Sequence, residues 1–270
     1  LNFKKPELVI KKIIRSSISD LICKGVKPKY YFISGSGNKK SFSALNLVKI
    51  SNSLKQEQKK YGLKLSGGDT TNSSKISFSI TSIGFSKKIV ERNNAKINDD
   101  IYVTGNLGDS FLGLKLINKR NKCKSKLKKY FINKHYCPDI PYHFSKKLKN
   151  FANTSIDISD GLIADLEKLI NNQKLYFNIN LKDIPISKEL RNYLIKTNKN
   201  KKDFVFNGDD YQILFTSSAK NRSLIRSFAK KMNQKISIIG KINNDYKKNL
   251  LNMDNKSLKL AKYQGYSHKF

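Results

Sequence analysis

The amino-acid sequence predicts a two-domain protein of mixed α/β and α+β class. The chain has 270 residues, enough for two modest domains and a substantial core. From Ile101 onward, short strand-like runs alternate with helical apolar patterns. Ahead of that alternation, Asn93–Asp100 is polar and turn-rich, which divides the chain into residues 1–95 and 96–270.

The elements follow in order. Pro6 suits the first position of a helix, and Val9, Ile10, Ile13, Ile14, Ile18, Leu21 and Ile22 recur at helical spacing until Gly25 and Pro28. A strand is expected near Tyr30–Ile33, then a loop holding Gly35-Ser36-Gly37, then a helix over Phe42–Tyr61 with Leu45, Val48, Ile50 and Leu54 on its apolar side. Leu63–Leu65 reads as a short strand feeding a turn at Gly67-Gly68-Asp69, where glycine lets the backbone approach a ligand. Ile76, Phe78 and Ile80 alternate with Ser77, Ser79 and Thr81 as a half-buried strand.

In the second unit, Ile101–Thr104 is a strand, Gly105–Asp109 a turn and Ser110–Ile117 a helix, whereas the Lys-rich stretch 118–134 reads as a solvated helix or loop. A strand from Ser155 leads into an Asp-Ser-Asp turn and a helix bearing Leu162, Ile163, Leu166 and Ile170. Strand-like Leu175–Ile179, a helix near Lys188–Leu194, a polar loop over Lys196–Lys202, strand-like Gln212–Thr216, a helix over Ser223–Lys231 and strand-like Ile236–Ile242 follow.

Fifty-four Lys and Arg against 20 Asp and Glu give a formal charge of +34, which favours phosphate backbones. The lysines are scattered along the whole chain rather than gathered into a patch, so nucleic-acid binding is not expected to be the function. Cys23, Cys123 and Cys137 show neither disulfide arithmetic nor C-x-x-C spacing, which fits reduced thiols in a cytoplasmic protein. His135, Cys137 and His143 lack a fourth ligand at zinc-site spacing. Neither an 18-residue apolar run nor a signal-like leader is present, and the chain opens on Leu1 rather than Met, which hints at a segment upstream.

The scarce carboxylates are concentrated in Gly67-Gly68-Asp69-Thr70-Thr71 and Asp157-Ile158-Ser159-Asp160-Gly161. Two Asp side chains about 5 Å apart repel by roughly 3 kcal/mol at an effective dielectric near 20, so such a cluster calls for a divalent cation. Asp20 stands near a helix C-terminus, unfavourable for a carboxylate, and reads as either a metal ligand or a salt-bridge partner. Asp157 and Asp160 open a helix, where a plain N-cap competes with ligand binding. Asn207-Gly208-Asp209-Asp210-Tyr211 repeats the combination of small and acidic residues. Neither G-x-x-x-x-G-K-S/T nor the protein-kinase motif set occurs.

In this order the motifs resemble the thiamine-monophosphate kinase family, within the superfamily of aminoimidazole ribonucleotide synthetase and selenophosphate synthetase. Ser17-Ile18-Ser19-Asp20-Leu21 with Gly25 and Pro28 is similar to N-L-S-D-L-A-A-M-G-A-x-P, and Leu65–Thr71 to V-G-G-D-T-T. Val103–Ser110 is similar to V-T-G-x-L-G-D-S, Ile156–Leu162 to M-D-I-S-D-G-L and Asn207–Leu214 to G-G-E-D-Y-E-L, while Gly265-Tyr266-Ser267-His268 with Phe270 resembles the closing G-x-x-H-F.

The resemblance implies a two-domain aminoimidazole ribonucleotide synthetase-like fold. Residues 1–95 would bind ATP and metal and pair with a second subunit, and residues 96–270 would form an α/β unit of ferredoxin-like character. It implies phosphorylation of thiamine monophosphate by ATP in a magnesium-requiring homodimer. Asp20, Asp69, Asp157 and Asp160 would ligate Mg2+; Gly68, Asp69, Arg92 and Ser159 would contact ATP; Asp209 and Tyr266 would face the thiamine monophosphate. No general base is assigned, because phosphoryl transfer asks mainly for positioning and charge neutralisation. The family's opening Asp-Asp and His-Phe segments have no counterpart here, so the N-terminal domain is expected to be truncated at its start. Asp209 and Asn207 stand where the family has Glu and Gly. The competing readings are another ATP-dependent synthetase or maturation enzyme of the superfamily, a basic nucleic-acid-binding protein, and a silent relic.

Overall fold

The computed structural model describes residues 3–119, 121, 123–244, 248–253 and 256–260. Helix α1 (Pro6–Ile22) starts on proline, whose missing N–H is no loss at that position, and turns Ile10, Ile14, Ile18 and Ile22 inward. Burial of those four side chains contributes about 6–12 kcal/mol. Strand β1 (Lys27–Gly37), helix α2 (Ala44–Tyr61) and strand β2 (Lys64–Asn72) form a β-α-β unit with β1 and β2 parallel. Ser43 caps α2 by accepting the Asn46 N–H, and Gly62, at φ 66°, ends it. Strand β3 (Ser77–Phe85) lies antiparallel on the other side of β1, giving the order β2-β1-β3.

Three expectations for this part are corrected. Gly35-Ser36-Gly37 is the end of β1 rather than a loop, and Gly67-Gly68-Asp69 lies inside β2 rather than in a turn. Gly68 is required because a Cβ there would stand 1.8 Å from the Ile33 carbonyl oxygen of β1. On α2, Ile50 is buried and Leu54 packs against the core, but Leu45 and Val48 are 65% and 57% exposed.

The second sheet with its helices comprises β4 (Asp100–Thr104), α3 (Asp109–Ile117), α4 (Ser125–Tyr136), α5 (Tyr142–Ser145), β5 (Thr154–Asp157), α6 (Leu162–Leu169), β6 (Tyr176–Asn180) and α7 (Lys188–Thr197). It is completed by α8 (Lys202–Val205), β7 (Ile213–Ser217), α9 (Arg222–Lys231), β8 (Ile236–Asn243), β9 (Leu250–Met253) and β10 (Lys256–Lys259). Its order is β10-β9-β6-β8-β4-β7-β5, with β6 and β9 parallel and the other neighbours antiparallel. The short α8 and the β9-β10 hairpin have no counterpart in the sequence reading. The Lys-rich stretch is also more than a solvated segment, because α4 buries Phe131 against α3 and α7, and its His135 and Tyr136 are buried too.

Residues 86–99, between β3 and β4, carry no helix or strand, and the expected division after residue 95 lies within them. One apolar cluster nevertheless runs from Ile10, Ile14, Ile18 and Tyr31 to Tyr102, Phe144, Phe151, Phe215 and Ile225, so α1 packs against both parts of the chain. The Ser155 hydroxyl donates to the Cys23 carbonyl, and the Val90 N–H donates to the Lys24 carbonyl at 3.0 Å. The C-terminal end of α1 is thereby held against the end of β5. Among the described residues no helix is long and apolar enough to cross a membrane.

Candidate active site

Asp157 ends β5 and is 3% exposed. The turn after it must leave the strand and start α6, and Gly161, at φ 131°, makes that bend with its α-carbon packed against the Phe206 carbonyl, which a Cβ would meet at 2.1 Å. Asp165, fully buried, accepts the N–H groups of Ser159, Asp160 and Gly161, each at 3.0 Å. Asp165 holds the turn in place and was passed over in the sequence reading; an acid in the first turn of the following helix was the available signal.

The 207–211 turn lies directly on this one. Its Asp209 N–H donates to the Ser159 carbonyl at 2.8 Å, its Tyr211 N–H donates to the Ile158 carbonyl at 2.9 Å, and the Ile158 N–H returns to the Gln212 carbonyl at 2.8 Å. Asp209 and Tyr211 both adopt left-handed backbone, at φ 71° and 51°.

From the other side, the Ser19 hydroxyl of α1 donates to Asp157. Burial, and then the neighbouring charge of Asp20, push the Asp157 carboxyl up to about 7, against the opposing pull of the Ser19 bond. Asp20 is shifted upward too, by desolvation that Lys24 partly offsets. Asp20 and Asp157 are therefore electrostatic neighbours, and among the described residues no Lys or Arg forms a salt bridge with either. Carboxylate oxygens without a basic partner suit a hard divalent cation.

The remaining expected residues are placed as follows. Asp160 is salt-bridged to Lys168, which also reaches Asp165 at 3.0 Å. Ser159 is half-buried with its N–H taken by Asp165. Gly68 and Asp69 lie on β2, where Asp69 is exposed, accepts the Thr70 N–H at 2.7 Å and stands beside Ser34 of β1. Arg92 is exposed in the stretch between the sheets. Tyr266 lies outside the described residues. The fold thus brings Asp157, Asp160, Ser159 and Asp209 together on two stacked turns, with Asp20 facing Asp157. Among the described residues no group of three or more His, Cys, Asp or Glu is placed to hold a metal ion.

Asp209 has partners that sequence spacing could not reveal. Lys12 Nζ is 2.9 Å from its Oδ1, the Tyr211 hydroxyl donates to Oδ1 at 2.9 Å, and His135 Nδ1 is 3.7 Å from Oδ2. Burial alone would raise this carboxyl, but Lys12 above all, with the Tyr211 hydroxyl, holds it below its ordinary range. The neighbouring Asp210 turns the other way, fully buried and accepting the Gly108 N–H at 2.9 Å, and burial drives its carboxyl far up. On that side a polar cleft of about 290 Å³ opens between Asn106, Ser110, Lys134, Asp139, Gln212 and Lys235, and none of the expected site residues lines it.

Residues 1–86 match the family described as AIR synthase related protein, N-terminal domain. The thiamine-monophosphate kinase of Buchnera aphidicola subsp. Acyrthosiphon pisum (strain APS) is 35% identical over 273 residues, covering 97% of this chain and 81% of that protein. The thiamine-monophosphate kinase of Aquifex aeolicus (strain VF5) is 32% identical over 212 residues, covering 78% and 69%. The solved structure of AaThiL complexed with AMPPCP and TMP superposes with a TM-score of 0.85 at 28% identity, covering 98% of this chain and 81% of that one. Two sheets bridged by α1, with acidic turns where they meet, are thus the architecture of an AIR synthase-related protein. Within that class, the chain belongs to the thiamine-monophosphate kinase family.

Proposed function

We infer that this protein transfers the γ-phosphoryl group of ATP to thiamine monophosphate, giving thiamine diphosphate and ADP. The observation that carries the reading is the approach of Ser19 and Asp20 to Asp157, in a chain that resembles AaThiL complexed with AMPPCP and TMP along nearly its whole length.

In the reaction an oxygen of the acceptor phosphate forms a bond to the γ-phosphorus as the bond from that phosphorus to the β,γ-bridging oxygen breaks, and ADP leaves. The attacking oxygen is already ionised at neutral pH, so no side chain is assigned as a base. Asp20 and Asp157 would hold Mg2+, with Asp69 and Asp160 completing the set; Asp160 would share or release Lys168 to do so. Bound there, the cation would supply charge neutralisation to the phosphates. Gly68 lets the β2 backbone lie close to its neighbour, and it, Asp69, Arg92 and the Ser159 hydroxyl are the ATP contacts. Arg92 suits a phosphate through its guanidinium fork. Asp209 and Tyr266 receive the thiamine monophosphate.

A homodimer fits the exposed small sheet. All nine residues of β2 are exposed, Leu65 among them, and Phe32 of β1 with Ile83 and Phe85 of β3 present further apolar surface on the same sheet. Pairing these strands with a second copy would cover that surface and bring the Asp69 strand into a shared site. We place the enzyme in the cytoplasm, where ATP is available.

The test is incubation of purified protein with ATP, Mg2+ and thiamine monophosphate, with products separated by chromatography. Formation of thiamine diphosphate supports the reading, and its absence while ATP and acceptor remain intact would sink it.

A further inference from the structure

The Asp209 carboxylate is gripped by residues from two distant elements. Lys12 comes from α1 and His135 from α4. Side-chain exposure is 7% for Lys12 and 3% for His135 but 31% for Asp209, so of the three groups only the carboxylate opens to solvent. Lys12 Nζ makes its 2.9 Å contact with Asp209 and lies 4.6 Å from the centre of the Tyr211 ring, yet finds no further hydrogen-bond acceptor. His135 also meets the Ser110 hydroxyl at 3.3 Å.

Sinking a lysine this deep for one contact is a poor way to tie two elements together, because desolvation offsets most of what an ion pair returns. The arrangement makes better sense as a clamp. Asp is one methylene shorter than the Glu of the family pattern, so it cannot swing far to meet a ligand and must be presented already charged and aimed. The left-handed backbone at φ 71° sets the direction, Lys12 at 2.9 Å keeps the group ionised, and the buried His135 ring backs Oδ2 at 3.7 Å.

We propose that Lys12 and His135 are positioning residues that hold the Asp209 carboxylate oriented toward the acceptor, thiamine monophosphate. This rests on the reading of Asp209 as a substrate contact.

Steady-state kinetics of Asp209→Asn, Lys12→Met, Lys12→Gln, Lys12→Arg and His135→Asn test it, each variant first checked for a cooperative thermal melt. Asp209→Asn and Lys12→Met should each raise KM for thiamine monophosphate about tenfold or more and leave KM for ATP within about twofold. Lys12→Arg should recover most of the loss, and Lys12→Gln, less disruptive to folding, should fall between. The double variant Lys12→Met/Asp209→Asn should match Asp209→Asn alone, since both remove one interaction. A raised KM in Asp209→Asn with a wild-type KM in Lys12→Met and Lys12→Gln would overturn the positioning role while leaving Asp209 as a contact. Equal rises in both KM values would mark Lys12 as merely structural and also overturn it. A wild-type KM in Asp209→Asn would overturn the assignment of Asp209 and this inference with it.

Discussion

The Ser19 hydroxyl donates to the carboxylate of Asp157, 138 residues further along the chain. That bond joins the end of α1 to the end of β5 and sets Asp20 beside a carboxyl that burial has already made reluctant to ionise. The site is electrostatically costly in the protein alone, and a cation would relieve it.

Asp157→Asn should therefore separate stability from activity. At pH 8 and without Mg2+, the variant should melt no lower than wild type, because a buried charge has been removed. Mg2+ should stabilise wild type by about 1–3 kcal/mol near saturation and leave the variant unmoved. Thermal melts with and without Mg2+ read this, alongside a fall in kcat/KM of about 100-fold or more.

Asp165 ties down three consecutive N–H groups. Its replacement by Ala should destabilise the protein by about 2–4 kcal/mol, since three buried or half-buried N–H donors lose their acceptor and Lys168 is left with Asp160 alone. Urea unfolding of Asp165→Ala measures the loss, and a change below about 0.5 kcal/mol would show that the turn is held by something else.

Gly68→Ala probes the close approach of β2 to β1. The new methyl would stand 1.8 Å from the Ile33 carbonyl oxygen, so the strands must part. A destabilisation of about 1–3 kcal/mol is expected, with a raised KM for ATP. An unchanged melting temperature would contradict the strand pairing.

His135 should leave a mark on the pH dependence of stability. Burial, then the Lys12 charge, lower its ring to about 4 from an ordinary 6.5, while Asp209 pulls the other way. The folded protein thus prefers the neutral ring, and unfolding takes up a proton between those values. Its contribution is present above pH 6.5 and is lost as pH falls toward 4. The difference in unfolding free energy between wild type and His135→Asn should shrink over that interval; a constant difference would show that the ring titrates normally.

Much of this was legible in the residues. Pro6 and the isoleucine spacing mark α1, and the acidic turns at 157–161 and 207–211 stand out against a lysine-rich background. What failed did so for physical reasons. Glycine signals freedom, so Gly67-Gly68 reads as a turn, although the strand needs Gly68 for lack of a side chain. Leu45 and Val48 have the spacing of a buried face, but spacing cannot say whether this chain or another covers it. Around α4 the density of lysine hides Phe131, His135 and Tyr136. Lys12 is indistinguishable from its neighbours until the fold carries it to Asp209.

The most direct test of the central claim follows the phosphorus. With ATP labelled in its γ-phosphate, Mg2+ and unlabelled thiamine monophosphate, the label should appear in the terminal phosphate of thiamine diphosphate, one for each ADP formed. Label released as inorganic phosphate, with no thiamine diphosphate formed, would contradict the account and point to one of the sister ATP-consuming reactions.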